Sequence, residues 1–176
     1  MADKSFSLRC LLGAVFALFA FVPSYAHADA PKKIGQYGDW AGYVLFEDGK
    51  QVCYMVSQPV KAEGKYSSRG DVFILVTHRP AENTRDVFSY IAGYSYKPGS
   101  DASVTIDGRE YVLFTQGDTA WAPDAAADHK LSQAIMNGSK MVVKGTSTRG
   151  TLTTDTYSLK GSTAAHKAIS KECGIR

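Results

Sequence analysis

The sequence has almost no net charge. Twenty lysines and arginines against seventeen aspartates and glutamates leave +3 over 176 residues, too small an excess for nucleic acid or an anionic membrane surface to be the main partner. It has no internal repeat and no low-complexity segment longer than Ala125-Ala126-Ala127. Catalytic signatures are missing as well: there is no Gly-x-Ser-x-Gly elbow, Ser-x-x-Lys, Cys-x-x-Cys or phosphate-cradling glycine loop. Past the first segment the histidines are His78, His129 and His166, the nearest two 166 − 129 = 37 positions apart. Zinc sites usually bring two ligands within a few positions, so spacing predicts no metal, and no cofactor motif stands beside them. Carboxylates are scattered. A site assembled from distant segments stays open, because triads form that way, and an envelope hydrolase is therefore the alternative class, with a purely structural envelope component as a third.

Cysteine is scarce and odd in number, with Cys10, Cys53 and Cys173. The first segment resolves the oddness. Lys4 and Arg9 precede an apolar run from Leu11 to Val22, and Ala26-His27-Ala28 offers the small-x-small pattern of a secretory signal. The run falls short of the roughly 20 residues of a spanning helix, so cleavage after Ala28, with no transmembrane anchor afterwards, is expected. That leaves 176 − 28 = 148 residues, the size of one domain. Cys10 departs with the signal, and two cysteines in an exported chain imply one disulfide, Cys53–Cys173. Its rival, a thiol nucleophile, finds no support around Cys53, whose neighbours Val52, Tyr54, Met55 and Val56 form an apolar strand pattern that raises a thiol pKa.

What the chain does have is strand signal. Residues 29–36 look like a flexible lead-in to a domain over 37–176. Short runs rich in Val, Ile, Phe, Tyr and Thr then predict strands near 37–46, 51–58, 71–79, 86–96, 102–107, 109–116, 139–147 and 151–159. Asp48-Gly49 and Asp107-Gly108 read as tight hairpin turns, and Lys97-Pro98-Gly99-Ser100 as another turn. Val72–Val76 is apolar at consecutive positions and should be a central strand covered on both faces. Helical signal is confined to Asp128–Asn137, with Leu131, Ala134 and Ile135 on one side, and to a C-terminal helix from about Thr163 burying Ala165, Ile169 and Cys173. Many short strands with few helices indicate an antiparallel sandwich or barrel.

Two surface readings follow. Arg69-Gly70-Asp71 matches an integrin-binding tripeptide, but the preferred reading is a polar turn with a permissive glycine leading into a central strand. Phe88, Tyr90 and Tyr94 share strand parity, and would form an exposed aromatic stripe if Val87, Ser89 and Ile91 are the buried set.

Gly38-Asp39-Trp40, Cys53 and Val76-Thr77-His78-Arg79-Pro80 resemble the first half of the invasion-associated locus B family. Asp118-Thr119-Ala120-Trp121, Ser147-Thr148-Arg149-Gly150-Thr151, Asp155-Thr156-Tyr157-Ser158-Leu159-Lys160-Gly161, Thr163-Ala164-Ala165 and Cys173 resemble the second half. The likeness covers about residues 37–173. It implies an exported alphaproteobacterial protein, periplasmic, outer-membrane-associated or secreted, with an immunoglobulin-like β-sandwich and one or two short helices. It carries no catalytic residues over. The role implied is a non-enzymatic binding module with an unspecified envelope or host-surface partner, connected by the family's name to host-cell invasion and virulence. Two departures stand out: Tyr43 and its neighbours occupy the region where many members have an additional cysteine, and Ser162 replaces a common Phe, which should weaken packing of the last helix. For Arg149-Gly150 and Asp155-Thr156-Tyr157 the plain reading is a glycine-turn hairpin with an Arg–Asp pair or a tyrosine hydroxyl bonded to backbone.

Overall fold

The structure, a computed structural model, describes residues 30–175. The export signal expected over Met1–Ala28, with its cleavage point after Ala28, lies outside these residues. The described chain runs β1 (Lys32–Tyr37), β2 (Trp40–Glu47), β3 (Lys50–Ser57), β4 (Lys61–Gly64), β5 (Phe73–Arg79), β6 (Thr84–Ile91), β7 (Ala102–Ile106), β8 (Arg109–Gln116), β9 (Thr119–Trp121), α1 (Ala125–Asn137), β10 (Lys140–Thr146), β11 (Leu152–Ser158) and α2 (Ser162–Glu172). It is mainly β and antiparallel, as expected. All eleven strands join in the order β1-β2-β3-β5-β6-β9-β8-β7-β10-β11-β4. Strand β8 connects the two halves, pairing with β7 through Arg109–Leu113 and with β9 through Phe114–Gln116. The halves face each other across one core, an arrangement compatible with the expected sandwich: Trp40 Nε1 donates to Ser158 O at 3.1 Å, and Tyr90 donates to Asp155 of β11. Among the described residues no helix is long and apolar enough to cross a membrane.

Local chemistry accounts for most of this. The two Asp-Gly turns have positive φ at both central residues, 50° and 75° at Asp48-Gly49 and 45° and 88° at Asp107-Gly108, which matches the right-handed twist of the strands they join. Burial alternates along β5, with Ile74, Val76 and His78 inward. The strand is central, between β3 and β6, but Phe73, Leu75 and Thr77 are half-buried rather than fully covered as the apolar run suggested. Helix α1 starts where the Asp124 carboxylate accepts from Ala127 N–H at 2.8 Å. Leu131 and Ile135 are buried there, as are Ala165 and Ile169 of the last helix and Cys173 at its C-terminal cap.

Several expectations change. Residues from Lys32 onward are strand β1, paired with β2, where a flexible lead-in over 29–36 was expected. Phe88 and Tyr90 are fully buried and Tyr94 is half-buried, so the aromatic stripe is core and not surface. Ser162 does not loosen the last helix: it is buried, and its Oγ donates to Ile135 O at 2.8 Å, tying α2 to the end of α1. The family-like motifs at the two ends of the chain meet physically. Asp39 N–H donates to Lys160 O at 3.1 Å, and a Cβ at Gly161, where φ is 95°, would collide with the Tyr37 carbonyl.

Candidate functional site

Two buried polar networks lie on the inward face of β6, one toward each end. The first is built around Asp86. In the β5–β6 ladder Thr77 pairs with Val87 and Arg79 with Thr84, so Arg85 and Asp86 stand against the single residue His78. This bulge puts Asp86 at φ 62°, a left-handed conformation that Asp tolerates better than most residues. The outcome is a fully buried His78 and an almost fully buried Asp86 beneath both helices. His166 of α2 approaches one carboxylate oxygen, Nε2 to Oδ1 at 2.7 Å, and His129 of α1 the other, Nδ1 to Oδ2 at 2.9 Å. The three histidines that look isolated in sequence thus gather round one carboxylate, and His78, Asp86 and His166 offer ligand atoms within 4.8 Å of one another.

The hydrogen bonds form a closed ring in which one backbone donor sets the tautomer of His78. Asp86 N–H donates to His78 Nδ1 at 3.1 Å, so the proton of neutral His78 is on Nε2. That atom lies 3.1 Å from Ser170 Oγ and donates to it. Ser170 Oγ in turn reaches His166 Nδ1 at 3.4 Å, and His166 closes the circuit on Asp86. Burial, helped by nearby His166, pushes the His78 imidazole down to about 4. Burial alone would raise Asp86, but the hydrogen bonds from His166 and His129 outweigh it and hold its carboxyl well below the usual carboxylate range.

The disulfide is adjacent. The structure joins Cys53 of β3 to Cys173, just past α2, with Cα atoms 6.0 Å apart across 120 residues of sequence. Cys53 pairs in register with His78, so the bridge fastens α2 over the ring. In the chain-entropy picture a loop of that length contributes about 4–5 kcal/mol.

The second network is built around Asp155 of β11. Arg69 pairs with it through both guanidinium arms, Nη1 to Oδ1 at 2.8 Å and Nη2 to Oδ2 at 2.7 Å, and Tyr90 donates to the same carboxylate. The Arg69 side chain is only 5% exposed, lying over the rings of Tyr66 and Tyr94. An integrin-type reading of Arg69-Gly70-Asp71 therefore has no free guanidinium to offer. Burial would lower the Arg69 pKa, but the Asp155 bond more than reverses that, and burial with Asp155 raises the Tyr90 hydroxyl far above its ordinary value. The Arg–Asp pair expected near the last hairpin exists, with Arg69 as partner and not Arg149. The glycine turn is present, Gly150 having φ 79°, but Tyr157 OH is buried without a partner among the described residues.

Above Arg69 opens a polar cleft of about 580 Å³, lined by Lys65, Tyr66, Arg69, Tyr94 and Arg149 together with the hydroxyls of Ser147, Thr148, Thr151 and Thr153, and by no carboxylate. Lys65 and Arg149 are exposed. Sequence reading passed over this cleft, because its cations come from the loop before β5 and the β10–β11 turn.

Residues 46–170 match the model of the Invasion associated locus B (IalB) protein family. No curated protein and no solved structure matches the chain.

Proposed function

Because the chain belongs to the invasion-associated locus B family, we propose that it is an exported envelope protein working as a non-enzymatic binding module, with the cleft above Arg69 as its contact surface and an acidic saccharide of the envelope or a host surface as its ligand. The observation that carries this reading is the lining. Two exposed cations, Lys65 and Arg149, stand among serine and threonine hydroxyls and two tyrosines, with no carboxylate to oppose an anion. Hydroxyls and tyrosine edges suit the ring and hydroxyls of a sugar, and the cations suit its acid group. Arg69, clamped by Asp155, gives the cleft a rigid floor, so little ordering is needed on binding.

The test is a binding titration with acidic and neutral oligosaccharides of equal length. Acidic ones bind, more weakly as salt rises, and Lys65→Ala with Arg149→Ala lowers affinity about tenfold or more. Equal binding of neutral and acidic sugars, or binding of neither, contradicts the proposal.

One observation favours a second reading, an envelope hydrolase: Ser170 is hydrogen-bonded to His166, which bonds Asp86. In the binding-module reading Ser170 Oγ is engaged with two imidazoles beneath the helices, and a fluorophosphonate probe leaves it unmodified. Labelling that Ser170→Ala abolishes would instead establish the hydrolase.

A further inference from the structure

We propose that His78, Asp86 and His166 form a binding site for one divalent transition ion of the zinc type. The Asp86 backbone N–H keeps the His78 Nδ1 free of a proton beside the buried Asp86 carboxylate, which His166 Nε2 also faces. Asp128, also buried, adds a second carboxylate close by and is engaged with Phe88 N–H at 2.8 Å. A buried anion calls for a cation, and two imidazoles with one carboxylate are the donors that borderline divalent ions prefer.

Geometry agrees. Bonds of about 2.1 Å set ligand atoms roughly 3.3 Å apart round a tetrahedral ion. Here Asp86 Oδ1 is 2.7 Å from His166 Nε2 and 4.0 Å from His78 Nδ1, separations that bracket the required value. The Nδ1 lone pair of His78 already points toward Asp86, because it accepts from the Asp86 N–H. An ion takes that donor's place. His166 would bind the ion through Nε2 in its Nδ1–H form, with Nδ1–H donating to Ser170 Oγ. His78 Nε2–H donates to the same oxygen, so Ser170 holds both imidazoles from behind, as ligating histidines require of their surroundings. His129, half exposed on the other carboxylate oxygen, stands at the outer side of the site, where an ion enters and where a fourth ligand is needed. The bulge at Arg85–Asp86 gives the same indication, since bulges of this kind often serve to re-aim a side chain.

The experiment uses the full chain with its disulfide intact, freed of metal by chelator and titrated with Zn2+ and with Co2+. The expected result is uptake of one ion per chain and a rise in thermal midpoint of about 5 °C with excess Zn2+. Both should be lost in His166→Gln and Asp86→Asn. No uptake by the wild-type chain overturns the proposal. Uptake that both variants retain also overturns it, because the ion then sits elsewhere. Where a variant fails to fold by circular dichroism, the wild-type imidazole NMR signals decide. Co2+ shifting His78 and His166 supports the site, and Co2+ shifting only other groups contradicts it.

Discussion

Asp86 and Asp155 are both buried carboxylates against the inward face of β6, yet the chain compensates them in opposite ways. Asp155 has a permanent cation: the Arg69 guanidinium grips both its oxygens and is itself sealed under Tyr66 and Tyr94. Asp86 has three histidines and a serine, groups that carry no permanent charge. The Arg69 end is therefore fixed, and suits the base of a preformed cleft. The Asp86 end can exchange what neutralises it, and that makes it the place for an ion.

The largest expected effects concern what holds each end together. Replacing both Cys53 and Cys173 by Ser lowers unfolding free energy by about 4–5 kcal/mol less any strain relieved, read from urea denaturation. The loss should appear first as raised amide exchange in α2. An undiminished α2 would separate the disulfide from the Asp86 end. Arg69→Met follows, at about 3–5 kcal/mol, because Asp155 is left buried without its partner. Adding Asp155→Leu should return much of that loss, and failure of this rescue would mean that the pair does more than neutralise charge.

His166→Gln should cost less, about 1–3 kcal/mol, since Asp86 keeps His129 at 2.9 Å and Ser132 at 3.4 Å. A loss as large as that of Arg69→Met would erase the contrast between the two ends. Smallest is Glu47, whose bond from Arg79 holds its carboxyl below the usual range. A lowered folded-state pKa gives stability present above the unfolded pKa and lost as pH falls through the folded one. Both partners are partly exposed, so wild type and Glu47→Gln should differ by under about 0.5 kcal/mol near neutrality. Denaturation midpoints that converge in acid would confirm the sign.

Most strands were legible, from Trp40–Glu47 to Leu152–Ser158, because runs of β-branched and aromatic residues bounded by turn residues suit a pleated sheet packed on one core. The strands that escaped lack that pattern. Every residue of Lys61–Gly64 is exposed at the sheet edge, Lys32–Tyr37 is largely polar with no fully buried residue, and Thr119–Trp121 is too short. The sites were harder for a different reason. Periodicity tells which face a residue is on, not which distant residue it meets, and His78, His129 and His166 come from β5, α1 and α2. One signal was present: His78 shares parity with Ile74 and Val76, and an ionisable group on the inward face of a central strand must have partners. The family-like motifs were recognisable as patterns, but their physical cause, the docking of Gly38-Asp39-Trp40 onto Ser158-Leu159-Lys160-Gly161, emerges only in three dimensions.

The contrast between an exchangeable and a fixed carboxylate is tested most directly by carboxyl 13C NMR of the disulfide-intact chain during Zn2+ addition. The account predicts that the Asp86 resonance moves and saturates at one equivalent while Asp155 stays in place. An Asp86 signal indifferent to Zn2+, or an Asp155 signal that moves with it, would contradict it.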